Sequence, residues 1–247
     1  MNNLVNIQPV IILVCPQLSE NIGMTARAMK NCGLYQLRLV SPKENHLSEK
    51  AIRASSGADD ILENALIFSS TQDAIKDLTD VYATTARRRN QIKTIYTAQK
   101  AAQNINAQIK QGAKFGIMFG PERTGLENDD ISLAEAIIEI PLNPEHTSLN
   151  LSQAVLLVGY EWYKTQINVK DEEFVTNATK LATNEQLMNF FNFLEEKLVD
   201  YKNLSDEQKR PTLLRNLHNI FTRNRMTEQE INTLYGIISY LSNKKTD

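Results

Sequence analysis

The chain has little of what many active centres are built from. Its 247 residues include only two cysteines, Cys15 and Cys32, and three histidines. Neither cysteine has a partner at metal-ligand spacing, so two reduced thiols are expected rather than a disulfide or a zinc site. Long apolar runs are missing too. The N-terminal stretch MNNLVNIQPVIILVCPQ has no lysine or arginine, and its best unbroken apolar run, Val10 to Cys15, is short. It matches neither a signal peptide nor a membrane span, and a cytoplasmic location is expected. Nor does one sign of charge dominate. A formal net charge of −2 argues against broad coating of nucleic acid while leaving room for local basic patches. Two such patches exist, ARRRNQIK at 86–93 and KRPTLLRNLHNIFTRNR at 209–225; the second holds Lys209, Arg210, Arg215, Arg223 and Arg225 and no acid.

What is present is an ordinary globular composition, 42% hydrophobic and 23% charged, on a chain long enough to bury a core. Short β-rich runs alternate with helical patterns over the first two-thirds. Strands are expected at 10–14, 36–40, 65–69, 81–85, 115–120 and 136–140. Helices are expected near 21–32, 48–54, 72–78, 97–110 and 150–165. This alternation marks an α/β domain with a parallel sheet covered on both faces. In such open sheets ligands sit outside the carboxyl ends of the strands, which directs attention to the loops at 15–23, 84–90, 120–127 and 141–150.

After residue 166 the pattern changes. Residues 167–182 are polar and aperiodic and read as a linker. Residues 183–247 read as a small all-helical extension: Leu187, Phe190, Phe191, Leu194, Leu198 and Tyr201 recur at helical spacing, as do Leu213, Leu214, Leu217, Ile220 and Phe221. Pro211 suits a first helical turn, and Thr227 with Glu230 fits a capping box opening a third helix.

None of the four loops holds a serine–histidine–carboxylate set, a metal cluster, a Gly-Lys-Ser/Thr phosphate cradle or a Gly-x-Gly-x-x-Gly fingerprint. In CPQLSENIGMTARAMKNCG, Asn21 stands at the opening of a helix, Arg27 lies two turns in, and Gly33 is placed to cap its end. In FGPERTGLEN, Gly120 and Gly125 bracket a turn around Glu122 and Arg123. In IPLNPEHTSLNLSQAV, Ser148 or Asn150 can cap the following helix, and Asn150 with Gln153 has capping-box spacing. Arg, Glu, Asn, Ser and shaped glycine backbone suit the binding and orientation of a cofactor that carries its own leaving group.

ENIGMTARAMKNCG, FGPERTGLEN and IPLNPEHTSLNLSQAV resemble, in that order and spacing, the three motifs of SpoU-type members of the SPOUT superfamily, which are S-adenosyl-L-methionine-dependent RNA ribose 2′-O-methyltransferases. The likeness covers residues 10–165. LLRNLHNIFTRNRMTEQEINTLYGIIS is similar to the C-terminal extension of the branch that methylates cytidine or uridine at nucleotide 32 of the tRNA anticodon loop. The resemblance implies a SPOUT-type parallel sheet with a C-terminal trefoil knot, a SPOUT methyltransferase domain at 1–166, and a homodimer with shared active sites and no metal. It implies cofactor contacts at Thr84, Thr85, Ala86, Gly120, Gly125, Ile140, Leu142, Thr147, Ser148 and Leu149. It places Arg27, Asn21, Glu122, Ser148 and Asn150 in the catalytic set, with Arg27 matching the family's essential arginine. Arg87, Arg88, Arg89, Arg210, Arg215, Arg223 and Arg225 would hold tRNA, although ATTARRR stands where a serine-containing small-residue turn is the family pattern. Two other readings stay open: a SpoU-type enzyme for ribosomal RNA or another tRNA position, and a catalytically silent RNA-binding protein. The tail speaks against the first. The joint presence of Asn21, Arg27, Glu122, Ser148 and Asn150 speaks against the second.

Overall fold

The six expected strands all form, and a seventh joins them. The computed structural model describes residues 8–85, 91–168, 175–176, 178–198 and 209–243. Ala86, Arg87, Arg88, Arg89, Tyr201 and part of the expected linker lie outside them. The strands are β1 (Val10–Val14), β2 (Leu37–Val40), β3 (Leu66–Phe68), β4 (Asp80–Thr84), β5 (Thr94–Thr97), β6 (Phe115–Phe119) and β7 (Ala136–Glu139). They make one sheet in the order β3-β2-β1-β6-β4-β7-β5, with every pairing parallel. Both β6 and β7 enter gaps between strands laid down earlier in the chain, so the carboxyl ends of β6, β4 and β7 stand side by side.

Helices connect the strands: α1 (Ser19–Asn31), α2 (Glu49–Ser55), α3 (Asp59–Glu63), α4 (Thr71–Ile75), α5 (Ala98–Lys110), α6 (Asn128–Ser132) and α7 (Leu151–Lys164). Period-two burial on both faces explains why β1 reads as a continuous apolar run. Ile11 and Leu13 enter one core cluster with Ile22, Met29, Ile105, Val155 and Trp162. Val10, Ile12 and Val14 enter the other with Ala74, Met118 and Ile131. The α1 helix starts two residues earlier than its expected boundary, so Asn21 sits buried in the first turn rather than opening the helix. It ends as its sequence suggests. Gly33 has φ +66°, Leu34 N–H donates to Met29 O at 2.9 Å and Gly33 N–H to Lys30 O at 3.2 Å, closing a Schellman motif. Gly23 lets α1 meet α2 backbone to backbone: a Cβ there would lie 2.1 Å from Ala51 O. The α4 helix stops at Ile75, short of the expected 78.

The chain divides into two compact units, residues 1–169 and 170–247. The second holds α8 (Asn184–Lys197), α9 (Arg210–Thr222) and α10 (Glu228–Asn243). Phe190, Phe191, Leu194 and Ile231 are its buried centre. Thr227 and Glu230 form the expected capping box, with Thr227 N–H donating to Glu230 at 2.7 Å and Glu230 N–H to Thr227 Oγ1 at 3.3 Å. Pro211 stands in the first turn of α9. Residues 180–182, at the end of the expected linker, pair with 226–228 through Ala182 N–H to Met226 O and Glu228 N–H to Lys180 O, each 2.9 Å.

One ion pair fixes the sheet edge. The Arg38 guanidinium, 9% exposed, forks onto Asp77 at 2.6 and 2.9 Å, donates to Ala74 O and lies over the Phe68 ring. This pairing holds the Asp77 carboxyl below its ordinary range. A depressed carboxylate contributes stability above its unfolded pKa, near 3.9, that is lost as pH falls through the lower folded value. Arg38→Met is expected to lower unfolding free energy by about 2 kcal/mol at neutral pH, because Ala74 O loses its donor and Asp77 its partner. Denaturant titrations at pH 7 and pH 3 check this; the variant's deficit should shrink at the lower pH.

Candidate functional site

Three loops that leave the sheet at β1, β6 and β7 are held by one line of hydrogen bonds. Asn150 is the N-cap of α7, and its Oδ1 accepts from Ser152 N–H at 2.9 Å and Ser152 Oγ–H at 2.7 Å. That fixes which way round the amide lies, so Asn150 Nδ2 donates to Asn21 Oδ1 at 3.0 Å. Asn21 Nδ2 then donates to Glu122 Oε1 at 2.7 Å, and Glu122 Oε2 accepts from Gln17 N–H at 3.1 Å. Gln153 completes the capping box by accepting from Asn150 N–H at 3.3 Å. The N-terminus of α1 is tied down as well. Leu18 supplies no side-chain cap; Glu44 instead accepts from Ser19 N–H at 2.9 Å, which holds its carboxyl below the usual range.

Beside this line lies a cavity of about 190 Å³ at the ends of β4, β6 and β7. Thr84, Thr85, Gly120, Gly125, Ile140, Leu142, Thr147, Ser148 and Leu149 all line it, as does Glu122. Ala86 lies outside the described residues. Thr85 N–H donates to Ile138 O at 3.2 Å and Thr84 Oγ1 to Met118 O at 2.9 Å, so the β4 exit is fixed to both neighbouring strands. Gly120 is required by the turn that follows it: a Cβ there would stand 2.1 Å from Leu126 N and 2.3 Å from Gly125 C. Gly125 N–H returns to Pro121 O at 2.9 Å, and its φ of +67° is one that glycine accepts without strain.

The structure also adds residues that neither loop composition nor the resemblance assigned to the cavity. Phe119, Pro121, Arg123, Thr124, Ile138, Leu151 and Ala154 line the cavity. Of these, Ile138 could have been found from its two-residue spacing to Ile140, and Leu151 with Ala154 from their i, i+3 spacing on α7. Arg27 stands apart from the set. It is exposed on α1 and is not among the residues that line the cavity. His146 is exposed on the β7–α7 loop. Arg210, Arg215, Arg223 and Arg225 are exposed in the helical unit; Arg210 faces Glu195 at 3.9 Å, and Arg215 Nε donates to Pro211 O at 3.2 Å. Among the described residues there is no cluster of three metal-ligating side chains, and no helix is long and apolar enough to cross a membrane.

A parallel sheet with this loop cluster at its carboxyl edge fits the SpoU rRNA Methylase family, whose model matches residues 8–160. Residues 185–247 match the C-terminal domain of the tRNA methyltransferase TrmJ. A relative from Photorhabdus laumondii, named tRNA (cytidine/uridine-2′-O-)-methyltransferase TrmJ, is 34% identical over 230 residues, 93% of this chain and 94% of its own. The Pseudomonas aeruginosa TrmJ, whose name adds adenosine to those nucleosides, is 32% identical over 237 residues, 93% of this chain and 91% of its own. The crystal structure of TrmJ from Z. mobilis ZM4 superposes with a TM-score of 0.83 at 43% identity, covering 95% of this chain and 99% of that one. This chain therefore belongs to the SpoU methylase family, in its TrmJ-type tRNA 2′-O-methyltransferase branch. The trefoil knot stays what the resemblance implies, and residues 86–90, between β4 and β5, lie outside the described residues.

Glu122→Gln should disturb the site without changing its size. One of the two donors now facing Glu122, Asn21 Nδ2 or Gln17 N–H, would meet an NH2 group. The expected cost is about 1–3 kcal/mol of stability, read by thermal or chemical denaturation.

Proposed function

We propose that this chain transfers the methyl group of S-adenosyl-L-methionine to a ribose 2′-hydroxyl in tRNA, at cytidine or uridine 32 of the anticodon loop, and that it does so as a homodimer. The observation that carries the reading is the meeting of three motif loops: Asn150, Asn21 and Glu122 form one hydrogen-bonded line along a cavity at the ends of β4, β6 and β7. The names of the relatives support the substrate and the nucleosides.

The residues present suit such a cofactor. Ile138, Ile140, Leu142 and Leu149 offer apolar surface for an adenine ring, and strand-end backbone offers hydrogen bonds to its edge. Thr147 and Ser148 bring hydroxyls, while Glu122 and Arg123 bring one charge of each sign for a zwitterionic amino-acid tail. When bound, the cofactor supplies an activated methyl donor, so the protein's work is chiefly to place the acceptor hydroxyl and ease its deprotonation.

Asn150, Asn21 and Glu122 hold the three loops in register, and Ser148, exposed at the rim, orients the ribose. Arg27 is a poor base, since a guanidinium stays protonated. It binds the neighbouring phosphate and stabilises the negative charge that develops on the 2′ oxygen. Arg27 does not line its own protomer's cavity, so in a homodimer its place is in the partner's site. Arg210, Arg215, Arg223 and Arg225, with Arg87, Arg88 and Arg89, contact tRNA backbone and supply affinity and register.

Methyl transfer from labelled cofactor to unmodified total tRNA and to ribosomal RNA tests the reading. Label is expected at nucleotide 32 of tRNA. Label in ribosomal RNA alone would make this a SpoU enzyme of different substrate, and no label in any RNA from folded protein would reject the enzyme reading. Arg27→Ala is expected to cut turnover by about a hundredfold or more while cofactor affinity stays within a few-fold. Near-normal turnover would remove Arg27 from the mechanism.

A further inference from the structure

The helical unit contains a second cavity, of about 120 Å³, between α8 and α10. The two helices run parallel there. Gln186 Nε2 donates to Glu228 Oε1 at 3.0 Å near their N-termini, and seven residues further along each helix the rings of Phe193 and Tyr235 stand 4.7 Å apart. The cavity is lined by Gln186, Asn189, Glu228, Ile231, Asn232 and Tyr235. Ile231 is buried, and the Tyr235 ring is held edge-to-face against Phe190 at 5.3 Å and 84°. Gln186 is spoken for, because its Oε1 accepts from Thr183 N–H at 2.8 Å. What remains to meet a ligand is the second Glu228 oxygen, an aromatic wall, and the amides of Asn189 and Asn232, which make no hydrogen bond to another of the described residues.

We propose that this cavity takes an unstacked nucleobase of the tRNA, one that carries an exocyclic amino group; the inference rests on the tRNA reading above. Amide side chains match the mixed donor and acceptor edge of a base, and a carboxylate accepts from an exocyclic amino group. Single-stranded RNA is recognised by packing of splayed bases on aromatic rings together with such edge contacts. A phosphate fits poorly, because the lining has a carboxylate and no cation.

Gly236 provides an independent observation. It lies inside α10, one turn beyond Asn232 and next to Tyr235, where a Cβ would meet nothing within 4 Å. A glycine in a helix interior weakens the helix, and here no contact within the described chain requires one. Its missing side chain leaves room for a sugar-phosphate backbone to approach the mouth of the cavity. Arg225, exposed and three residues before α10, stands at the Glu228 end, where it would hold an adjoining phosphate.

The test uses the full-length protein with unmodified tRNA and with oligocytidylate and oligouridylate of equal length, which carry equal phosphate charge. Wild type is expected to bind oligocytidylate about tenfold more tightly than oligouridylate, because only cytosine offers the amino group. Asn189→Leu/Asn232→Leu is expected to erase that preference and weaken tRNA binding by about tenfold, with the salt dependence of binding and the cofactor affinity unchanged. Gly236→Ala is expected to raise the melting temperature yet weaken tRNA binding, which separates loss of binding from loss of fold. Wild type that binds tRNA without preferring cytidine overturns the inference. So do variants that bind as wild type does, or a loss of affinity with a flatter salt slope, which signals phosphate contact. Wild type that ignores every RNA overturns the tRNA reading itself and this inference with it.

Discussion

The structure turns on the side-chain amide of Asn150. Its oxygen is committed to Ser152 at the first turn of α7, so its nitrogen can only face outward, to Asn21. Asn21 is thereby oriented in the same sense and delivers its own nitrogen to Glu122. The line has one direction, set by a helix cap at one end and finished by a carboxylate at the other. The amide–amide bond contributes only about 0.5–1.5 kcal/mol to folding, and the bond to the Glu122 carboxylate about 1.5–3 kcal/mol. Their larger effect is positional, since Glu122 and Asn150, which lie 101 and 129 residues from Asn21 in sequence, acquire a single placement relative to it.

The sheet makes that meeting possible. Because β6 and β7 enter between strands already laid down, β4 has β6 on one side and β7 on the other, and β1 borders β6. All strands run the same way, so all four loops emerge on one edge. Gly120 and the Gly125–Pro121 turn fold the β6 loop back tightly enough for Glu122 to reach Asn21, and Thr85 carries the β4–β7 ladder one residue past the strand end. A cavity bordered by strand-end backbone follows from these constraints.

Much of this was legible in the sequence because the signals were local. Buried runs such as VIILV and FGIMF announce parallel strands, and Asn150 with Gln153, Thr227 with Glu230, and Gly33 announce helix ends by chemistry that acts over a few residues. The β5 strand escaped notice because TIYT is short, edge-placed and largely exposed, and runs directly into α5. What makes it a strand is long-range: it pairs with β7, and the preceding Lys93 donates to Ser132 O and Ala134 O at the end of α6. The α3 and α6 helices, five residues each and opened by acids, lack enough turns to show a period. For the site, loop composition indicated orientation and binding, while the expected cofactor contacts came from resemblance to a known family. The Ser152–Asn150–Asn21–Glu122 line could not be read from either, because it depends on which amide faces which loop.

If that line sets loop placement, its members act as one unit in catalysis. The most direct measurement is a double-mutant cycle on methyl transfer with Asn21→Ala, Asn150→Ala and the pair, after circular dichroism has shown each variant folded. Each single change should cost much of the rate, and the pair should cost little more than the worse single, because the first break already frees the loops. Strictly additive losses in activation free energy would contradict the account, since they would mean that Asn21 and Asn150 act on the reaction independently.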